Sequence, residues 1–290
     1  MNKIGLHIRG SAWSEKALGR PRIVKVVDVA PEYVKRVREA VGPGCLIVVR
    51  WYEDGLYDWS NPIVAGRDWY ERHYPAMREM ADSQVVFEGA NEIADSAAVA
   101  FCAFELERLE RMHAVGLRCA VGSWSVGRPD LPTWAIYQPA LDAMRPGDVV
   151  ALHEYWADRA DIANRWFCGR WTKVPQLTGR PIIITECGRD FVDGRGAAGW
   201  QRTCDAETFL EDLRQYNALL EQYPNVLGAT VFTGGVVGGW EAFSVNGIWA
   251  RVVAEYSQPK DPMQPPTVPL PSEPAREIRN AAWGALGVPL

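Results

Sequence analysis

Three features of the sequence predict an α/β protein of the (β/α)8 class, also known as the TIM barrel. The first is a set of eight short runs rich in Val and Ile, each bounded by Gly, Pro or polar residues as strands are. The second is a set of longer amphipathic segments, typical of helices, between these runs. The third is size, because eight strand-then-helix units over about 250 residues are usual for such a barrel.

The predicted strands are continuous apolar runs without the alternation of a half-exposed sheet. This pattern indicates strands that are buried on both faces, as in parallel sheets. They cover residues 4–8, 23–27, 45–50, 85–88, 118–122, 149–153, 182–185 and 226–232. A doubly wound open sheet is the alternative fold. It usually has fewer strands and a glycine-rich phosphate-binding turn after the first one, and the sequence lacks that turn.

The predicted helices cover residues 31–41, 69–81, 96–115, 134–144 and 206–222. The segment AVAFCAFELERLERMHAV, at 98–115, repeats apolar residues every three or four positions, which gives one buried stripe and one charged face. Near residue 257 the composition changes to SQPKDPMQPPTVPLPSEP. We therefore expect a barrel domain over residues 1–257, followed by a proline-rich strap and short helix over 258–290.

Charge and hydropathy exclude several classes of partner. The 290-residue chain has a net charge of −5 and no block of Lys and Arg, so neither nucleic acid nor an anionic membrane is an expected partner. No apolar run approaches the roughly 20 residues that cross a bilayer. The opening MNKIGLHIRG has no signal-peptide pattern, so the protein as written is expected to be cytoplasmic, whereas a trimmed signal would make it secreted. A monomer is also expected.

The cysteines and histidines do not form a recognisable metal motif. Six cysteines are scattered singly, and four histidines show no zinc-ligand spacing. Cys168 and Cys204 lie in polar segments and could pair across loops. We expect neither a metal nor an organic cofactor.

Tryptophan is unusually frequent, with 13 residues, many of them beside polar, Gly or charged neighbours. Packing in the core is one explanation. A sugar-binding cleft is the other, because an indole offers a large rigid apolar face with one polar group.

In a barrel of this class the active site lies at the carboxyl ends of the strands. Glu92 follows the fourth strand and Glu186 the seventh, so the two carboxylates should face each other across the mouth. Two such acids suit glycoside hydrolysis, where one protonates the leaving oxygen and the other attacks the sugar or activates water. The other residues at these ends are His7, Arg9, Lys25, Asp28, Arg50, Trp51, Tyr52, Ser123, Trp124, His153, Tyr155, Trp156, Phe232 and Trp240.

The Asn91-Glu92 pair after strand four, combined with a lone Glu186 after strand seven, resembles the clan A glycoside hydrolases. This superfamily of barrels includes cellulases, mannanases and β-galactosidases. The resemblance implies that Glu92 is the general acid/base and Glu186 the nucleophile. It also implies that Asn91 hydrogen-bonds the 2-hydroxyl of the sugar.

His153 and Tyr155, spaced H-x-Y after strand six, are similar to a pair in family 5 cellulase-like members. There the tyrosine touches the nucleophile and the histidine lines the cleft. Arg50 is similar to the arginine that members keep near the nucleophile, and Trp240 or Phe232 to the aromatic platform after strand eight. The second cleft histidine of many family 5 members has no counterpart, so the family stays open.

Three further loop indoles are expected to contact the substrate: Trp51, Trp124 and Trp156. Glu88 and Glu154 are expected to be structural, with Glu154 pointing into the barrel wall or the helix layer.

The predicted function is a retaining glycoside hydrolase, either an endo-glycanase or a β-glycosidase, acting on a β-linked carbohydrate. The two carboxyl groups should then lie roughly 5 to 5.5 Å apart. One alternative is a barrel that binds glycans without cutting them. Another is a peptidoglycan-cleaving cell-wall lysin, which the proline-rich tail would suit.

Overall fold

The computed structural model describes residues 2–257 except 54, 56, 192–198, 236 and 237. Eight parallel strands follow one another around a closed barrel, and β8 pairs with β1 to complete it, which confirms the predicted (β/α)8 class. The strands are β1 (Ile4–Arg9), β2 (Ile23–Val27), β3 (Leu46–Arg50), β4 (Val85–Glu88), β5 (Cys119–Trp124), β6 (Val149–Trp156), β7 (Ile182–Arg189) and β8 (Val226–Gly235). The proline-rich strap predicted over 258–290 lies outside the described residues.

The helices of the described part cover the outside of the barrel. They are α1 (Pro31–Val41), α2 (Pro62–Met80), α3 (Ala98–Ala114), α4 (Leu131–Asp142), α5 (Trp200–Thr203), α6 (Ala206–Glu221) and α7 (Trp249–Tyr256). The strand-then-helix pattern is incomplete, because β1 and β2 are joined by a single 3-10 turn and β6 and β7 by three of them. Glycines and prolines in both connections disfavour a longer helix. None of the described helices combines the length and apolarity needed to span a membrane.

The strands on the β6 to β8 side run further than the apolar pattern predicts. β6 and β7 were predicted to end at residues 153 and 185, yet they stay paired as far as Trp156 and Arg189. The polar residues at their ends still pair through backbone hydrogen bonds. Hydropathy reports only side-chain character and therefore does not detect this extension of the strands. The segment that carries His153 and Tyr155 is therefore part of the paired sheet and not a loop.

Apolar residues fill the lower part of the barrel interior and form a small cluster that is separate from the larger core. This cluster consists of Ile23, Val48, Val86, Ala120, Val149, Ala151 and Ile183. Side chains alternate between the two faces of a strand, so the next inward positions lie two residues further on. On β2, β3, β4 and β7 these positions hold Lys25, Arg50, Glu88 and Thr185. The interior thus changes from apolar to charged below the mouth.

The larger core lies between the barrel and its helices, where most of the buried aromatic residues pack. All six cysteines are free thiols. The pairing considered for Cys168 and Cys204 is therefore not formed.

Candidate active site

Glu92 leaves β4 in an unusual backbone conformation. Its φ is 52°, in the left-handed region that residues other than glycine rarely adopt, and Asp28 and Ser123 share this feature at the ends of β2 and β5. The Glu92 N–H donates to the carbonyl oxygen of Ser123 at 2.9 Å, which holds the turn. Such conformations collect at functional sites, where the surrounding structure sustains the strain.

The structure brings Glu92 and Glu186 together around His153. His153 Nδ1 is 2.8 Å from Glu92 Oε1 and 3.7 Å from Glu186 Oε2. One oxygen of each carboxylate and one ring nitrogen all lie within 4.8 Å of one another. The two side chains differ in exposure, at 40% for Glu92 and 9% for Glu186. Glu92 is thus the solvent-facing acid and Glu186 the enclosed one.

Glu186 is surrounded by groups that favour its ionised form. Lys25 Nζ donates to Glu186 Oε1 at 3.1 Å, and Arg50 Nη1 lies 3.8 Å from the same oxygen. Burial acts to raise the pKa of Glu186, but interactions with His153, Lys25, His7 and Arg50 outweigh it and hold the pKa well below its usual range. Glu186 is therefore a carboxylate at any pH near neutrality.

Tyr155 donates a hydrogen bond to Oε2 of Glu186, the oxygen that Lys25 does not contact. Its hydroxyl donates to Glu186 Oε2 at 3.0 Å. Burial, and then the negative charge of Glu186, raise the pKa of Tyr155 well above its usual value. The hydroxyl accordingly stays protonated and remains a donor.

Lys25 and Glu88 lie deeper in the barrel than Glu186, and the sequence did not assign either of them to the site. Lys25 is completely buried and also pairs with Glu88, whose Oε2 lies 2.8 Å from Lys25 Nζ. Glu88 Oε1 accepts hydrogen bonds from Ser123 Oγ at 2.5 Å and Thr185 Oγ1 at 2.6 Å. The available signal was the single lysine inside the apolar strand IVKVV, because an unpaired lysine is almost never fully buried.

His7 is another residue that the sequence placed near the mouth without a role. Its Nδ1 is 2.9 Å from Thr233 Oγ1, and its Nε2 is 3.7 Å from Glu186 Oε1. Burial, followed by the charge of Lys25, lowers the pKa of His7 well below its usual value. His7 is therefore a neutral polar neighbour of Glu186.

Two of the indoles expected to contact substrate do not reach the cleft. Trp124 and Trp156 are 0% exposed. Trp124 packs edge-on against Phe101 and other aromatic rings under the helices, and Trp156 Nε1 donates to Asp212 Oδ2 at 3.2 Å. Both residues belong to strands. Alternation turns Trp156 toward the helix layer, and a register irregularity between Gly122 and Trp124 does the same for Trp124. The prediction that they bind sugar was wrong.

Trp51 and Trp240 are less buried. Trp51 stacks on His73, with ring centroids 4.2 Å apart, so one of its faces is covered by α2. Trp240 is 39% exposed and packs edge-on against Phe232. The ring of Phe232 in turn packs against the ring of His7, with 4.8 Å between the ring centroids. Trp240 therefore links the solvent-facing rim to the residues around Glu186.

Asn91 and Arg50 both lie where the sequence placed them. Asn91 Oδ1 is buried and has no hydrogen-bond partner among the described residues, so it can accept a hydrogen bond from a ligand hydroxyl. Arg50 is buried beside Glu186, and its guanidinium also lies over the ring of Tyr52, 5.9 Å from the centroid.

Two groups of side chains in the described part have the spacing of metal ligands: Glu92, His153 and Glu186, and His113, Cys119 and Asp148. In the first, Lys25 and Arg50 approach Glu186 and would repel a cation. In the second, Asp148 already accepts hydrogen bonds from His113 and from the backbone N–H groups of Cys119 and Arg145. Hydrogen bonding and ion pairing account for both groups.

Comparison with known proteins finds similarity in structure only. No model of a protein family matches the chain, and no curated protein sequence matches it. Solved structures of glycoside hydrolases do match.

A triple mutant of an endo-β-1,4-glucanase from Xanthomonas axonopodis pv. citri aligns with a TM-score of 0.57 and 12% identity, over 89% of this chain and 99% of the other. A subgroup I, family 128 endo-β-1,3-glucanase variant from Amycolatopsis mediterranei, bound to laminaritriose and laminaribiose, has a TM-score of 0.55 and 16% identity, over 88% and 99%.

A β-mannanase from Thermomonospora fusca in complex with mannohexaose aligns with a TM-score of 0.51 and 13% identity, over 89% of this chain and 86% of that one. These proteins share the barrel architecture that the clan A resemblance implies. At such low identity they establish the fold of this chain.

Proposed function

We propose that the protein is a retaining glycoside hydrolase in which Glu186 is the nucleophile and Glu92 the general acid/base. The observation that carries the proposal is the approach of these two carboxylates, with an oxygen of each within 4.8 Å in one solvent-facing site. Retaining enzymes need a short separation, about 5 to 5.5 Å between carboxyl groups, because both act on one sugar carbon without an intervening water. Their unequal surroundings suit the two different roles.

In the first step Glu186 attacks the anomeric carbon while Glu92 gives its proton to the leaving glycosidic oxygen. The bond from that carbon to the leaving oxygen breaks, and an ester to Glu186 forms. In the second step Glu92 takes a proton from water, whose oxygen attacks the same carbon and releases Glu186. Tyr155 and Lys25 keep Glu186 ionised and oriented before the attack.

Substrate contacts are proposed for two residues near the mouth, Asn91 and Trp240. Asn91 Oδ1 accepts a hydrogen bond from a sugar hydroxyl, which the clan A resemblance identifies as the 2-hydroxyl. Trp240 offers an exposed indole for stacking against a sugar ring. The structurally similar enzymes act on β-glucans and mannan, which supports a β-linked polysaccharide as the substrate class.

The test is hydrolysis across a panel of β-1,3-glucan, β-1,4-glucan, β-mannan and peptidoglycan. Wild type should release reducing sugar from at least one polysaccharide. Glu186→Gln should abolish turnover, and Glu92→Gln should lower kcat about 10²- to 10⁴-fold. Glu154→Gln is the matched control, because this buried carboxyl on β6 bonds to Tyr216 and Gly169, away from the cleft, and should leave activity intact.

The same panel separates the alternatives. Glycan binding without turnover by wild type would support a non-catalytic barrel, and turnover confined to peptidoglycan would support a cell-wall lysin. The anomeric configuration of the first product, followed by NMR, tests the stereochemistry. An inverted product would overturn the retaining mechanism while leaving hydrolysis in place.

A further inference from the structure

Lys25 lies in an environment that a lysine rarely occupies. It is the central residue of IVKVV on β2, and its side chain is 0% exposed. Its ammonium forms an ion pair with Glu88 Oε2 at 2.8 Å and directs a hydrogen bond to Glu186 Oε1 at 3.1 Å. A buried charge is tolerated only when it is paired, so the location of Lys25 depends on these two carboxylates.

Glu88 is held in place independently of Glu186. Ser123 and Thr185 both donate to Glu88 Oε1, which leaves Oε2 facing Lys25. Burial acts to raise the pKa of Glu88, but Lys25 and then Arg50 outweigh it and lower the pKa to about 2. Glu88 therefore remains a carboxylate whatever happens to Glu186.

The other ionisable groups around Lys25, Glu88 and Glu186 come from β1, β3, β6 and the end of β4. Glu92, after β4, has an oxygen within 4.8 Å of Glu186, and the Tyr155 hydroxyl on β6 donates to Glu186 Oε2. His7 on β1 is neutral, for the reason given above. Arg50 on β3 lies 3.8 Å from Glu186 Oε1, the oxygen that Lys25 also contacts. His153 on β6 lies on the side of the other oxygen, 3.7 Å from Glu186 Oε2. Two cationic side chains thus meet two carboxylates on the Oε1 side.

We propose that Lys25 and Glu88 are a positioning pair for the nucleophile: Lys25 fixes Glu186 before the attack, and Glu88 keeps Lys25 paired while Glu186 is an ester. This inference rests on the proposed function. When Glu186 bonds to the anomeric carbon, its negative charge passes to Glu92, which has given its proton to the leaving oxygen. Lys25 loses one of its two anionic partners in that step. Glu88 prevents the ammonium from becoming an unpaired buried charge, which would raise the energy of the intermediate.

The pair differs from a purely structural ion pair in what its removal should do. Lys25→Met removes a cation beside Glu186, so the acid limb of the kcat/KM profile should move to higher pH, by about one unit or more. Glu88→Gln removes an anion, so the limb should not move upward. Both variants should slow formation of the glycosyl-enzyme and lower kcat about 100-fold, with little change in KM.

The experiment uses the full chain and the panel polysaccharide that wild type hydrolyses, together with a fluorinated dinitrophenyl β-glycoside that traps the ester on Glu186. Rates of labelling are followed by mass spectrometry, and unfolding midpoints are measured in parallel. Glu105→Gln is the matched control, because Glu105 and Arg108 form an equally buried ion pair within the helix α3. It should lower stability and leave the labelling rate and the pH profile as in wild type.

The outcomes separate the two proposals. Absence of both hydrolysis and labelling in wild type would overturn the proposed function, and the positioning pair with it. Wild-type labelling combined with unchanged labelling rates and acid limbs in both variants would overturn the positioning pair alone. Should Lys25→Met fail to fold, the isosteric Glu88→Gln decides, since a wild-type labelling rate in that variant contradicts the proposal.

Discussion

Glu92 and Glu186 carry the same functional group in different surroundings. Glu92 stands on a left-handed backbone at the rim, where its side chain is 40% exposed and contacts His153. Glu186 ends an apolar run on β7 and is enclosed by Lys25, Arg50 and Tyr155. One carboxyl can exchange protons with solvent while the other stays ionised, which is the division of roles that a retaining mechanism needs.

At the same scale, Tyr155→Phe tests the hydrogen bond to the nucleophile candidate. The change removes the donor to Glu186 Oε2 and little volume. A hydrogen bond to a charged group contributes about 1.5 to 3 kcal/mol, so kcat/KM should fall about 10- to 100-fold. Steady-state kinetics measures this directly.

Tyr137→Phe is the matched control for that variant. Tyr137 is equally buried, on α4, and its hydroxyl has no hydrogen-bond partner among the described residues. Its removal should leave kcat/KM unchanged. Equal losses in both variants would show that the hydroxyl of Tyr155 has no special role.

Among the elements, β6 shows how alternation divides one strand between two tasks. His153 and Tyr155 point into the mouth, where they contact Glu92 and Glu186. Glu154, between them, points the other way, as predicted, and its two oxygens accept hydrogen bonds from Gly169 N–H and the Tyr216 hydroxyl. Glu154 thereby joins β6 to α6 and to the connection that leads to β7.

Glu154 should make stability depend on pH. Burial, opposed by these hydrogen bonds, raises its pKa from an ordinary 4.5 to about 7. Protonated Glu154 adds to the free energy of unfolding, and this contribution is complete below about pH 4.5. It is lost as the pH rises through about 7, because Glu154 ionises at a lower pH in the unfolded chain than in the folded protein. The loss is on the order of 3 kcal/mol.

Glu154→Gln cannot ionise, and its amide can still accept from Gly169 and donate to Tyr216. Relative to wild type, the variant should therefore gain stability between about pH 4 and about pH 8, as measured by urea unfolding at both values. Glu79→Gln changes an exposed carboxylate on α2 and should show no such gain. A parallel pH dependence in wild type and Glu154→Gln would contradict the prediction.

For the whole molecule, closure of the barrel is what assembles the site. β8 returns to pair with β1, so that Lys25 on β2, Glu88 on β4 and Glu186 on β7 meet through the interior. After β8, α7 packs on the barrel through Trp249, whose Nε1 donates to the carbonyl oxygen of Ala17 at 2.9 Å. Among the described residues, α7 is the last helix of the barrel.

A chain that ends at Ser257 should therefore fold and, under the proposed function, hydrolyse substrate at the rate of the full chain. Its thermal midpoint should change by no more than about 2 °C. A chain that ends at Gly247 also loses the buried residues Trp249, Val252 and Tyr256 of α7, and should unfold at a clearly lower temperature. Loss of activity in the longer of the two chains would make residues 258–290 part of the catalytic unit.

Local properties of the sequence were enough to predict the barrel and the two carboxylates. Strand propensity and hydropathy belong to a few consecutive residues, so eight apolar runs could be counted without knowing how they pair. Glu92 and Glu186 each follow such a run directly, and any closed barrel brings those ends to one face. Trp124 and Trp156 were predicted to lie in loops, but each is the last residue of its strand. Alternation on β6 and a register irregularity on β5 decide which side these two residues face, and hydropathy reports neither.

The contacts around Glu186 depend on the assembled barrel. Lys25 was visible as one lysine among valines, but its partners Glu88 and Glu186 are distant in the chain and meet it only across the closed interior. The same closure buries Glu186 among positive groups and so keeps it ionised. Residue order thus determines the strands and the acids at their ends, whereas the charge state and the neighbours of those acids follow from how the strands close into a barrel.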